Sequence, residues 1–144
     1  MIPLSPREAL PELGQDERLG RSIVASRAAA RARTKGVIMR DVFLEAEGAP
    51  SLSVDRMDHA TLHEMAALGR ERAGNRKPPR QLHGWAEIAV RRAASNGRTV
   101  EATPQPSNIF HADIFLNIAG DEARDQQKGH ATELAARSRW LDLP

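Results

Sequence analysis

The chain contains no cysteine and no tyrosine. The first absence excludes disulfides, thiol nucleophiles and thiolate metal ligands. The second leaves few rings on which a nucleobase could stack: aromatic residues are 3% of the chain, namely Phe43, Trp85, Phe110, Phe115 and Trp140. Aliphatic side chains must therefore build most of the core. Long hydrophobic runs are missing too. Nothing approaches the roughly 18 apolar residues of a membrane span. The start MIPLSPREAL has no basic region followed by an apolar stretch, as a secretory signal would. The expectation is a cytoplasmic protein with no membrane partner. Phosphate-loop and dinucleotide fingerprints are absent. Ser53 lacks the glycine-rich elbow of a hydrolase nucleophile.

What is present fits one domain: 144 residues, 40% hydrophobic and 28% charged, an ordinary globular balance. The net charge of +2 conceals blocks. Residues 18–40 carry seven basic side chains and no acid, and residues 70–98 carry eight against Glu71 and Glu87. Segments 41–69 and 101–144 are net acidic. Eighteen of the 21 basic residues are arginine, the side chain suited to bidentate contacts with phosphate or carboxylate.

Along the chain, prolines and Gly14 make residues 1–16 an irregular arm, and 17–144 reads as the domain. Residues 17–34 are rich in Ala and Arg and predict a helix with a poor apolar stripe, adding little to the core. Residues 37–44 predict a strand apolar on both faces, and 52–57 a second strand. Thr61 and Glu64 form a capping-box pattern that opens a helix over 62–73. Residues 85–96 read as a helix ended by Gly97, or as part of a hairpin turning at Asn96-Gly97; the helix is preferred because Ala-Ala and Arg-Arg are poor strand material. Strands follow at 98–103 and 109–117, then a helix at 121–140. The fold class is α+β: a sheet of about four strands, helices mainly on one face, and an Arg/Ala-rich N-terminal helix.

Three groups of residues invite a chemical reading. His59 and His63 have a helical metal-ligand spacing, but a helix capped at Thr61 leaves His59 outside it, so no metal site and no cofactor is expected. His111 and Asp113 share a strand face about 7 Å apart; such a pair can act as an oriented base. His83 follows the basic loop Arg76-Lys77-Pro-Pro-Arg80, and His111, Asp113 and His83 are the catalytic candidates. Against this stands a solvated His–Asp pair with no catalytic part. Arg27, Arg31, Arg33, Arg76, Lys77, Arg80, Arg91 and Arg92 are the candidates for binding nucleic acid or a partner.

The charge blocks and the missing catalytic motifs favour a small bacterial-type cytosolic binding or regulatory module. It would contact RNA, DNA or a partner protein through Arg-rich segments 18–40 and 70–98. A small metal-independent RNase or phosphodiester-processing enzyme, toxin-like, would instead use His111 and His83. A third possibility is a structural subunit of a protein complex. Convergence of His83, His111 and His130 within about 10 Å would favour catalysis, and dispersal would favour binding.

Overall fold

The computed structural model describes residues 10–144. Its strands are β1 (Arg18–Ile23), β2 (Ser51–Arg56), β3 (Gly84–Ala89), β4 (Thr99–Ala102), β5 (His111–Phe115) and β6 (Arg139–Asp142). Its helices are α1 (Ser26–Lys35), α2 (Leu62–Gly74), α3 (Val90–Ala93) and α4 (Ala123–Arg137), with a 3-10 turn at Arg40–Phe43. The strands form one antiparallel sheet in the order β4-β5-β2-β1-β3-β6.

Period-two alternation divides the sheet into two unlike faces. Leu19, Ile23, Leu52, Val54, Ala86, Ile88, Ala112 and Ile114 point to one face. There they meet alanines 28, 29 and 32 of α1, Phe43, and Ala131, Leu134 and Ala135 of α4. On the other face Trp85 packs with Met57, Met65, Ala66 and Leu82 beneath α2. Gly20 makes this packing possible: a Cβ there would lie 2.7 Å from Met57 Sδ and 3.2 Å from Trp85 Cδ1.

The α+β class holds, but the sheet has six strands and helices cover both of its faces. Residues 17–34 divide into strand and helix. Leu19 and Ile23 need both sheet neighbours to be buried, and strand pairing outweighs the helix propensity of the arginines and alanines. Thus β1 lies in the middle of the sheet, with Leu19 0% and Ile23 2% exposed, and this segment is integral to the core. The apolar run 37–44 forms the 3-10 turn instead of a strand. Ile38 and Phe43 are buried in the core shared with α4, with Met39, Val42 and Leu44 half-buried around them. Residues 84–89 are strand β3, paired with β1 over six residues, and only Val90–Ala93 is helical.

Asn96 and Gly97 do adopt positive φ, 54° and 83°, and Arg98 N donates to Ser95 O at 3.2 Å. This I′-like turn joins α3 to β4, not two strands. The last helix stops at Arg137, and Arg139–Asp142 pairs with β3 as an edge strand. The capping box at α2 forms as its spacing predicts, with Glu64 N donating to Thr61 Oγ1 and Thr61 N to Glu64 Oε1. Residues 1–9 of the expected arm lie outside the described residues. Its remainder touches the body: Leu10 and Leu13 pack against the two cores, and Gln15 O accepts from Arg91 N at 2.9 Å.

Candidate anion-binding cleft

Strand β1 pairs with β3 along its whole length but with β2 only at Leu19–Arg56 and Gly20–Asp55. Beyond Gly20 the two central strands separate. Arg18 O accepts from Met57 N at 3.0 Å on the β2 side, and Ile23 O accepts from His83 N at 2.9 Å on the β3 side. Alternation therefore turns the backbone of Ser22 toward β2, where no strand partner meets it. Arg21 stands at this gap. Its Nε donates to Val42 O at 2.9 Å, one terminal nitrogen donates to Ser53 O at 2.8 Å, and the other pairs with Glu45.

Two adjoining hollows of about 230 and 310 Å³ follow the gap, and Arg21, Ser22, Val24, Glu45 and Arg76 line both. Asp55 and Arg72 stand at the end where β1 and β2 meet. The Arg72 guanidinium donates to both Asp55 oxygens, and Asn108 Nδ2 adds a third bond at 2.8 Å. Asp55 is thus fixed and buried. Glu45 is different, with its side chain 40% exposed and held, among the described residues, by Arg21 alone. Arg76, just past the end of α2, is exposed and forms no ion pair among the described residues. At the other wall Ala25 and Ala28 bring the first turn of α1 to the cleft. No side chain caps that turn and no acid lies in it, so its free N–H groups add to the positive potential.

The predicted basic residues sort themselves by this geometry. Arg76 lies in the cleft. Arg27 and Arg31 are exposed on α1 without ion pairs among the described residues, and Lys35 continues their i, i+4 row. Arg33 is pinned elsewhere: it donates to His83 O at 3.1 Å and lies 5.1 Å from the Trp140 ring centroid. Lys77 is exposed on the loop after Arg76, and Arg80 borders a separate shallow hollow with Arg70 and Leu143. Arg91 pairs with Asp16 at 3.1 Å. Arg91 and Arg92 follow Ala89, which pairs with Arg18 at the opposite end of β1, about 17 Å along the strand.

The chain matches no family model, no curated protein and no solved structure. Its chemistry therefore rests on the geometry alone.

The histidines are dispersed. His111 and Asp113 do meet, through Thr103. The Thr103 carbonyl can only accept, so its 3.0 Å contact with His111 Nδ1 puts the ring proton there and leaves Nε2 as the basic nitrogen. The Thr103 hydroxyl lies 2.8 Å from His111 Nδ1 and donates to Asp113 Oδ2 at 2.8 Å. His83 adjoins β3, which is three strand spacings from β5, about 14 Å. His130 is on α4, against Arg98 at 2.9 Å. Burial, helped by the Arg98 charge and opposed by Glu133, lowers its pKa below the ordinary histidine value. His59 belongs to the Glu17–Arg56 pair. Among the described residues no cluster of His, Asp and Glu could hold a metal.

Sequence reasoning overlooked Arg21 and Arg72. The signal for Arg21 lies in its spacing: between Leu19 and Ile23, at strand period, it is an arginine on a buried face.

Proposed function

We propose that this protein is a binding module for the phosphate backbone of nucleic acid. The observation that carries the reading is the meeting of the two basic segments. Arg21 of the first and Arg72 and Arg76 of the second line one cleft, and the unpaired row Arg27, Arg31 and Lys35 leads away from it along α1. Like charges at i, i+4 destabilise a helix by about 0.2–0.5 kcal/mol per pair. Arg27 also sits at the helix end where a cation is disfavoured. No acid in residues 18–40 offsets either cost, and a phosphate chain along α1 would. No aromatic ring among the described residues lines the cleft, which favours recognition of backbone rather than base.

The RNase alternative draws on His111 with its Thr103–Asp113 support, but His83 is too distant to be its partner. The subunit alternative lacks an apolar face: Val37 is the one exposed large hydrophobic residue among those described.

The test is a salt titration of binding to single- and double-stranded DNA and RNA. If Arg27, Arg31, Lys35 and Arg76 each meet a phosphate, affinity falls as about the 3.6 power of salt for duplex DNA and the 2.8 power for single strands. Arg27→Glu with Arg76→Glu weakens binding at least tenfold, while Arg91→Glu with Arg92→Glu has little effect. Equal effects of the two pairs, or no binding at low salt, would refute the reading.

A further inference from the structure

We infer that the cleft receives the terminal phosphate monoester of a nucleic-acid strand, whose place the Glu45 carboxylate takes in the free protein. The inference rests on the nucleic-acid reading above and adds which part of the ligand enters.

The shape of the gap is the first argument. The cleft is a wedge that closes where Gly20 pairs with Asp55, and the Asp55–Arg72 pair stands across that end. A chain cannot run through a closed wedge, but its terminus can enter one. The open side is bordered by the first turn of α1, where the row Arg27, Arg31, Lys35 begins. A strand whose end lies in the wedge therefore leaves along that row. From Arg27 to Lys35 the row covers eight residue steps, about 12 Å of helix.

Charge is the second argument. Three acidic residues line the two hollows. Asp41 is exposed, so solvent screens its charge, and it forms no ion pair with the cleft's arginines. Asp55 is 1% exposed and held by three hydrogen bonds from Arg72 and Asn108. It stays. Glu45 is half-exposed, and Arg21 is its one side-chain partner among the described residues. It can swing away and leave one guanidinium nitrogen of Arg21 unpaired, while the other two groups of Arg21 remain on Val42 O and Ser53 O. The incoming anion then faces Arg21, the unpaired Arg76 and the backbone N–H of Ser22. Two cations match a monoester, which carries about −1.5 to −2 at neutral pH, better than a diester with a single charge. No covalent step is involved; the exchange replaces one anion on Arg21 by another.

The experiment measures fluorescence anisotropy with three labelled single-stranded oligonucleotides of one sequence, at one salt concentration. One carries a 5′-phosphate, one a 3′-phosphate and one neither. One phosphorylated end binds about tenfold more tightly than the unphosphorylated strand, the effect of a bidentate charge-assisted contact. Arg76→Gln reduces that preference to about twofold, and Glu45→Gln widens it. Inorganic phosphate at millimolar concentration removes the preference without releasing the unphosphorylated strand. Melting temperatures of both variants serve as the folding control. Equal affinity for all three oligonucleotides overturns this inference while leaving backbone binding along α1 intact. An Arg76→Gln loss equal on all three also overturns it. Absence of binding by any of them overturns the nucleic-acid reading itself.

Discussion

Glu17 grips Arg56 in a buried ion pair, with one carboxylate oxygen 2.6 Å from Nε and the other 2.9 Å from a terminal nitrogen. The pair joins the segment before β1 to the end of β2, and Arg56 also donates to Pro11 O at 2.7 Å. Burial opposes ionisation of Glu17, but hydrogen bonds from Arg56 and His59 and the Arg56 charge outweigh it. The carboxyl therefore titrates below its ordinary 4.5. Removing one partner of a buried pair leaves the other charge uncompensated. Glu17→Gln is expected to cost about 3 kcal/mol in urea unfolding. The sign with pH follows. A depressed carboxylate stabilises the fold above its unfolded value, and that contribution disappears as pH falls through the lower folded one. A Glu17→Gln protein as stable as the parent at pH 7 would contradict this account.

Arg98 makes a second buried network, whose pH response has the same sign but begins at higher pH. Its side chain is fully buried and donates to Ala93 O at 2.7 Å, to Glu133 at 2.7 Å and to the ring of His130 at 2.9 Å. His130 accepts through Nδ1 and must be neutral to do so. Its burial and the Arg98 charge keep its folded pKa below the ordinary 6.5, against the pull of Glu133. The unfolded chain thus takes up a proton at higher pH than the folded one. Stability is unaffected above that range and falls as pH drops through 6.5 toward the folded value. Urea midpoints at pH 8.0 and 5.5 should differ less in His130→Gln than in the parent. Parallel midpoints in the two proteins would remove His130 from the pH response.

Where a segment's own pattern decides its conformation, the sequence is legible. The Thr61–Glu64 box and the alternation through Ala112 and Ile114 read correctly. The Asn96-Gly97 turn belongs to the hairpin alternative and not to the preferred helix over 85–96, and it joins α3 rather than a strand to β4. Phe110 has the period-two spacing of Ala112 and Ile114, yet β5 begins at His111 and Phe110 packs in the core under α2. The failures occur where tertiary partners outvote propensity. Leu19 and Ile23 lie four apart, a spacing that serves a helix as well as a strand, and only the neighbours β2 and β3 decide between them. Trp85 to Ile88 is buried on both faces and so carries no alternation. The cleft was half legible. Arg76 stands out in a basic loop, but Arg21 and Glu45 matter because β1 and β2 separate, and no local pattern records that.

Leu19 distinguishes the two readings of the first segment directly. A helix with a short apolar stripe would tolerate its loss. As a fully buried residue of a central strand, flanked by Ile88 and Arg56, it should behave like other core leucines. Leu19→Ala is expected to cost about 3 kcal/mol, and Ile114→Asp, at 0% exposure in β5, to prevent folding. A Leu19→Ala protein destabilised by less than about 1 kcal/mol would mean that β1 is not held in the sheet as described.

The row on α1 allows stability and binding to be separated by one substitution. Arg31 lies between Arg27 and Lys35 at i−4 and i+4, and all three are exposed. In the free protein both spacings are repulsive. Arg31→Glu converts both to attractive pairs, each changing by the difference between a like-charge and an opposite-charge contact. The gain is about 1 kcal/mol at low ionic strength and shrinks as salt screens it. The same substitution takes a cation from the proposed phosphate row and replaces it with an anion, so nucleic-acid affinity falls at least tenfold and the salt slope falls by about one. A structural role for Arg31 would give loss on both measures. An idle surface arginine would give a stability gain with no change in binding. Only a residue whose charge serves an external anion gives a higher melting temperature together with weaker binding, and thermal unfolding and a salt titration on one preparation of Arg31→Glu measure both.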